Sequence, residues 1–498
     1  MLIFSTVIIP IVGAILIGLI GERNRPLRNL VILITCLTNF VIVLWIAPSV
    51  LGGNFPSFTL VDLNLFALQF RVDNLSLLMG ILVTFLWIFT EIYSFGYMSG
   101  EHAQTRYYFC LTLALSAEMG IIFSANLLSL YIFYEFLTIV VYPLVIHEQS
   151  TEAYHAGIVY LVYLLGGGIM VLFAILLTYL TTGGNITFTA GGIPELINKS
   201  RFILYLLSLL FIFGFGVKGC LMPFHAWLPQ AMVAPTPISA LLHAVAVVNA
   251  GVYGLIRVIY SVLGPGLFHQ LYLTYGLGIL ATITTILSAI FALRQRQIKR
   301  LLAYSTANQL SFVILGAAAA HPIALMGALL HLLFHSIMKI TMFYAVGAVI
   351  KQTGKTLIKE MSGLARQMPL SWGAFAIAAW GIVGIPPVAG WVSKVYLIQG
   401  YLNLRQPYFA IVFLISSILE LGFLMRPLIY AYFKKGENLI PLTGLEFEVT
   451  TSKEKYFLEV PLSMLIPIII TAVLSLAFGL IGGAPYVLSQ ATVKEFFP

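Results

Sequence analysis

Charged residues are scarce in this chain of 498 residues: 9% are Asp, Glu, Lys or Arg, against 60% hydrophobic. So little charge cannot cover a water-soluble domain of that size, which excludes a large soluble enzyme. Cysteine is rarer still. Cys36, Cys110 and Cys220 lie in or beside apolar runs with neither metal-ligand nor disulfide spacing, so they read as packing residues. No Walker loop, glycine-rich dinucleotide fingerprint, haem-attachment motif or cysteine cluster occurs, so neither a cofactor nor a metal is expected and no redox or hydrolytic centre is placed in this chain. Loops are short as well. The extended ones, at roughly 48–72, 181–202, 351–370 and 433–461, lack the length of a catalytic domain.

Long apolar runs are what the chain has instead. They recur from end to end, continuous rather than alternating, which reads as membrane-spanning helices and not as a barrel. Spans are expected near 2–20, 29–47, 73–92, 106–124, 127–146, 157–180, 203–223, 237–259, 271–292, 301–319, 323–350, 371–400, 408–432 and 462–482. The fold class is therefore an all-α polytopic membrane protein of about 14 helices. The first run lacks a basic leader and a cleavage site and reads as a retained helix. Gly166-Gly167-Gly168 falls inside a span, where close helix packing is its expected role.

Basic residues follow the resulting topology. Odd-numbered loops carry sixteen, from Arg23, Arg25 and Arg28 to Lys434, Lys435, Lys453 and Lys455, whereas even-numbered loops carry five, Arg71, Lys199, Arg201, Arg257 and Arg405. The positive-inside rule then places both termini outside a cell membrane. The formal net charge of +8 is a topology signal and does not imply a nucleic-acid partner.

Glu118, Glu135, Lys218, His225, His243, His331, His335, Lys339, Lys394 and Glu420 all fall within the spans or at their broken ends. Each costs several kcal/mol to hold in hydrocarbon, roughly 2.5–3.5 for a charge at a helix centre, so so many together describe a polar path through the bundle. In GVKGCLMPFHAWLPQ, Lys218 precedes Pro223 and Pro229, which break the helix and bring polar backbone to membrane depth. Glu135, near the middle of its span, suits a carboxylate paired with a lysine, or alternatively a structural glutamate. Glu118 suits either a structural or a partner-facing role. In HLLFHSIMK, His331, His335 and Lys339 are spaced i, i+4, i+8 and share one face, as a proton wire requires. Histidines at i, i+4 also suit zinc, but no glutamate or cysteine accompanies them here. His243 is placed to bridge Lys218 and that file. Asn249, six residues on, can orient water but cannot carry charge. Lys394 follows the GIPPVAG break in span twelve, so two broken helices each hold a lysine, as in internally repeated transporters.

LYIFYE ending at Glu135, KGCLMPFHAWLPQAMVAPTPISALLHA, KRLLAYSTANQLSF, HLLFHSIMK and GIPPVAGWVSK together resemble the antiporter-like subunit family. That family comprises Mrp-type cation/proton antiporter subunits and the proton-pumping membrane subunits of NADH-quinone oxidoreductase and of group 4 membrane-bound hydrogenases. The resemblance covers about 60–430. It implies fourteen helices with two inverted five-helix repeats, helices 4–8 and 9–13, of which helices 7 and 12 are broken. The implied units are 1–105, 106–260, 271–432 and 433–498. It also implies a Glu135–Lys218 pair and a central line through His243, His331, His335 and Lys339 to Lys394. Many members carry a lysine where this chain has Asn249; others have a histidine at the place of His243. Ending soon after span fourteen, the chain looks like an Mrp D-type or hydrogenase-type subunit. The implied partners are other integral membrane subunits, the lipid bilayer, and protons, with sodium left open. A stand-alone secondary transporter and a non-pumping membrane scaffold are the competing readings.

Overall fold

The computed structural model describes residues 1–62, 67–435 and 458–498. Lys453 and Lys455, counted above among the basic loop residues, lie outside them. The chain runs α1 (Leu2–Ile20), α2 (Arg25–Leu51), a hairpin of β1 (Ser57–Asp62) and β2 (Ala67–Arg71), α3 (Asn74–Tyr97), α4 (Gln104–Ile122), α5 (Leu127–Val145), α6 (Thr151–Thr182) and α7 (Arg201–Lys218). There follow α8 (Trp227–Gln230), α9 (Thr236–Ala244), α10 (Val247–Arg257), α11 (Pro265–Gln270), α12 (Leu273–Arg294), α13 (Ile298–Ala318) and α14 (Pro322–Thr353). The remainder is α15 (Pro369–Val383), α16 (Gly390–Asn403), α17 (Pro407–Phe433), α18 (Leu462–Ile481) and α19 (Ala484–Phe496). Twelve helical stretches among the described residues are long and apolar enough to cross a membrane. The protein is thus an all-α, multi-pass membrane protein with about a dozen such helices.

Burial sorts them into a rim and a centre. Only 33–39% of the most apolar stretch is buried in α1, α2, α6 and α18, where residues such as Leu19, Trp45, Val162 and Leu180 point outward, as lipid-facing helices require. The stretch Thr236–Leu263 is wholly buried, and the most apolar stretches of α13 and α14 are 94% buried. The longest central helix, α14, packs against α3, α9, α13, α15, α16 and α18. Polar side chains on these three central elements therefore face protein and not lipid.

Glycine sets one close approach. A Cβ on Gly167 of α6 would stand 2.9 Å from the Gly214 carbonyl oxygen of α7, and one on Gly214 would meet the Gly167 oxygen at 3.0 Å. The two backbones touch at these positions, a small-residue contact of the kind that joins membrane helices.

Three spans are broken. Span seven stops at Lys218 and resumes only as the short α8, and span twelve is interrupted between Val383 and Gly390, both at the prolines seen in the sequence. The third break, between α9 and α10 at Val245–Ala246, has no proline and was not expected from the sequence. There the Asn249 side chain donates to the Ala244 carbonyl at 2.8 Å, occupying an acceptor that a continuous helix would bond through its own backbone. Two further elements depart from the reading. The loop near 48–72 holds the β1–β2 hairpin, in which Ser57 pairs with Arg71. Beyond α18, the helix α19 folds back so that Glu495 accepts from the Asn74 backbone (3.1 Å) and side chain (2.7 Å) at the start of α3. Asp73 beside it receives both ends of the Arg257 guanidinium, at 2.6 and 2.8 Å. Ser76 donates to the same carboxylate through both its backbone nitrogen (2.9 Å) and its hydroxyl (2.7 Å). The bidentate Arg257–Asp73 pair ties α3 to the end of α10.

Candidate site: a row of buried polar side chains

His331, His335 and Lys339 lie on α14 at successive turns, each with no exposed surface. Their neighbours differ. His331 is held at both ring nitrogens, Nδ1 by the Ser393 hydroxyl of α16 at 2.9 Å and Nε2 by the Gln309 side-chain oxygen of α13 at 3.1 Å. Gln309 in turn donates its amide nitrogen to Glu420 Oε1 at 2.7 Å and to Asn308 Oδ1 at 2.8 Å. Two acceptors fix the orientation of that amide, so its oxygen must accept and His331 Nε2 carries the proton. Glu420, on α17, closes the cluster. Its Oε2 lies 2.6 Å from Lys394 Nζ, while its Oε1 also accepts from Ser416 at 3.1 Å.

The break in span twelve is what admits Lys394 here. Lys394 starts from the first turns of α16, but its ammonium reaches back to the Val383 carbonyl at the end of α15 (2.9 Å) and to Ser417 (2.7 Å). Gly384 follows with φ 90°, and a Cβ there would stand 2.8 Å from Lys394 Cδ. Glycine both permits that backbone and leaves room for the side chain. Lys394, Glu420, Gln309, His331 and Ser393 thus form one hydrogen-bonded cluster drawn from α13, α14, α16 and α17.

His335, one turn along, has its ring 6.5 Å from that of His331 and faces the His243 backbone. Lys339, a turn further, donates to the Ser305 hydroxyl at 2.6 Å and the Leu302 carbonyl at 3.4 Å. His243 stacks on Phe343 of α14 at 4.8 Å, its Nε2 is 3.2 Å from Met232 Sδ, and its Nδ1 has no partner. Asn249 donates to Ser336 at 3.2 Å, beside His335. The order along α14 therefore differs from the one read from the sequence. His331 adjoins Lys394, and Lys339 is at the far end, because α16 packs on the N-terminal half of α14, where a Cβ on Gly327 would stand 2.6 Å from the Leu397 nitrogen.

Lys218 stands apart from this file. It is fully buried, donates to the Tyr134 carbonyl at 2.5 Å, and lies over the Tyr134 ring with 3.3 Å to its centroid. The freed carbonyl of Val217 is taken by Trp227 Nε1 at 2.9 Å, so the break leaves that acceptor satisfied. Glu135 does not pair with Lys218 among the described residues. Its carboxylate lies against α6, where a Cβ on Gly168 would stand 2.1 Å from Oε1, and that oxygen has no partner. Gly168, the third residue of the glycine run, is the space into which Glu135 fits. Glu118, buried on α4 with an unpartnered Oε1, is a second carboxylate close enough to interact with Lys218 through charge. No hydrogen bond links Lys218 to His243 among the described residues. The approach of the two regions is through backbone: a Cβ on Gly251 of α10 would stand 2.3 Å from the Gly219 nitrogen. His225 is half-buried against Phe291 and Tyr304, outside the α14 file.

Sequence reading noted Glu420 as buried and ionisable without giving it a partner, and passed over Gln309 and Ser393. Asn308-Gln309, two adjacent amides in an apolar span, was the available signal. Among the described residues no group of three or more His, Cys, Asp or Glu is arranged to hold a metal ion.

The chain is similar in sequence and fold to known proteins. The model of the NADH:quinone oxidoreductase/Mrp antiporter transmembrane family matches residues 124–420, and that of the NADH-ubiquinone oxidoreductase (complex I) chain 5 N-terminus matches residues 62–108. NADH-quinone oxidoreductase subunit N of Desulforudis audaxviator (strain MP104C) is 31% identical over 430 residues, 83% of this chain and 82% of its own. The putative antiporter subunit mnhA2 of Staphylococcus saprophyticus is 32% identical over 384 residues, 73% of this chain and 47% of its own. The chain thus spans about half the length of that relative. In fold, it is similar to a chain of the Mrp complex from Dietzia sp. DQ12-45-1b, with TM-score 0.88 at 21% identity, covering 99% of this chain and 97% of that one. It is similar also to a chain of the membrane-bound sulfane sulfur reductase, an archaeal respiratory membrane complex, with TM-score 0.86 at 22% identity, covering 100% and 98%. With the family model spanning most of the buried row, and a relative matched over the greater part of both lengths, the chain belongs to the NADH:quinone oxidoreductase/Mrp antiporter family of polytopic membrane subunits.

Proposed function

We propose that the chain moves protons across the membrane as an antiporter-like subunit of a multisubunit complex, along the row Lys339, His335, His331, Glu420 and Lys394. The observation that carries this reading is the Lys394–Glu420–Gln309–His331 cluster, continuous in hydrogen bonds at the buried centre of the bundle. Charges so placed are costly and mark ion paths. Histidine can accept a proton on one nitrogen and release it from the other. The His335 imidazole and the Nδ1 of His243, which has no partner among the described residues, offer water the sites at which it would complete the row. Gln309 orients its neighbours and carries no charge itself.

Lys218, with Glu135 on one side and Glu118 within reach of its charge, is the switch. Movement of the ammonium between these carboxylates would couple the row to a neighbouring subunit packed on the α5–α6 face. Fourteen spans follow when α4 and the broken pair α15–α16 are added to the twelve long apolar stretches. Two inverted repeats, 106–260 and 271–432, flanked by 1–105 and 433–498, are supported by the place of the long helices: α6 and α14 each have 32 residues and each precedes a broken span. Both termini then lie outside. Sodium is not assigned.

Lys218→Ala is the test. In the reconstituted complex it should abolish proton movement with assembly intact; undiminished movement would remove Lys218 from the mechanism and favour a scaffold.

A further inference from the structure

At the end of the bundle that carries Lys299, the α5–α6 connection, the start of α9 and the start of α13 enclose a cleft of about 270 Å³. That is far above the roughly 10–15 Å³ that admits one water. Its lining is charged and polar at the rim: Glu148, Glu152, Lys299 and Arg300, with Arg300 and Glu152 3.5 Å apart. Lys299 reaches inward, donating to the Ala234 carbonyl at 2.6 Å. Thr236, the first residue of α9, is also in the wall.

Met232 closes the inner side. It lines the cleft with 6% of its surface exposed, and its sulfur touches His243 Nε2 at 3.2 Å, whereas His243 has no exposed surface. A single side chain therefore separates the cleft from a fully buried histidine. That side chain is a thioether, a weak acceptor for an imidazole N–H, on an unbranched stem with three rotatable bonds. Behind His243, Phe343 and the file of His335 and Lys339 continue into the bundle. The rest of the cleft wall is fixed by hydrogen bonds from Lys299 and from Tyr97, whose hydroxyl lies 3.1 Å from that of Thr236. Met232 is the side chain of this wall that touches the buried row.

We propose that this cleft is the aqueous access port of the buried row, with Met232 the gate between water and His243. The inference rests on the proton-transport reading and places entry at the Lys339 end of the file. The gate works by rotamer: with Met232 turned aside, water in the cleft reaches His243 Nε2, and with Met232 in place it does not.

The test uses the full chain in its complex, in sealed vesicles, with Cys36, Cys110 and Cys220 replaced by alanine. Met232→Cys is treated with a membrane-impermeant cationic methanethiosulfonate from each side in turn. Labelling is expected from the side that bears Glu152 and Arg300 and not from the other, and the bulky adduct should reduce proton flux several-fold. His243→Cys should resist the reagent while Met232 is present and react once Met232→Ala is added. The proposal is overturned if Met232→Cys is unreactive from both sides, or if His243→Cys reacts equally with Met232 in place. Labelling of Met232→Cys with undiminished flux would overturn it too. That result differs from a chain that moves no protons before labelling, which would instead refute the transport reading.

Discussion

Removing the Glu420 carboxylate should expose how much the central cluster depends on a buried counter-ion. Its Oε2 is 2.6 Å from Lys394 Nζ, with side-chain exposure of 7% for the lysine and 0% for the glutamate. In Glu420→Ala the ammonium keeps only two neutral acceptors, the Val383 carbonyl and the Ser417 hydroxyl, and Gln309 loses one of its two acceptors. Breaking a buried pair from one side costs about 3–5 kcal/mol, because the remaining charge is left uncompensated. Replacing both partners by apolar groups is commonly near neutral. Glu420→Ala and Lys394→Met should therefore each destabilise the chain by ~3 kcal/mol or more, while the double variant should fall within about 1 kcal/mol of the better single variant or above it. Reversible unfolding in mixed detergent micelles, run as a double-mutant cycle, measures the coupling. Single losses below about 1 kcal/mol that simply add would refute the pairing argument.

Gly168→Ala would place a Cβ 2.1 Å from Glu135 Oε1 and push the carboxylate off α6, so proton flux should fall toward that of Glu135→Ala. In a Glu135→Ala background the same change should cost nothing further, and an added loss there would show that Gly168 acts through packing alone. His147, in the α5–α6 connection, is buried with neither ring nitrogen hydrogen-bonded among the described residues, and burial, with Arg106 and His102 nearby, brings its pKa down to about 4. Its neutral form is the one the fold accommodates, so this contribution to stability is complete above pH ~6.5 and is lost as pH falls from there through about 4. Thermal inactivation measured from pH 7 down to pH 4.5 should show a shallower acid loss for His147→Asn than for the parent, and parallel profiles would exclude the histidine as a cause.

Much of the architecture is written in the sequence because hydrocarbon leaves few options: an apolar run of sufficient length must be a helix. Pro223 and Pro386-Pro387 announce two breaks by removing donors, and the i, i+4, i+8 spacing puts His331, His335 and Lys339 on one face of α14. The α9–α10 break carries no such mark, because it depends on the Asn249 amide finding the Ala244 carbonyl and on Ser336 lying opposite. Nor can spacing reveal that Gln309 meets Glu420, 111 positions away, since only the packing of α13 against α17 brings them together. The sequence points to Glu135 as a partner of Lys218, and the two do interact through charge, but it cannot show that the carboxylate lies in the groove at Gly168 while the ammonium hydrogen-bonds to Tyr134. The hairpin β1–β2 and the helix α19 were missed because short elements outside the spans have weak signals of their own.

Gln309 is the bridge between the imidazole of His331 and the carboxylate of Glu420, and it titrates nothing itself. Proton flux through vesicles carrying the complex with Gln309→Leu, at a level of assembled chain equal to the parent, therefore tests the connected row most directly. The loss of flux should be an order of magnitude or more. Flux equal to the parent's would mean that protons do not pass through this cluster.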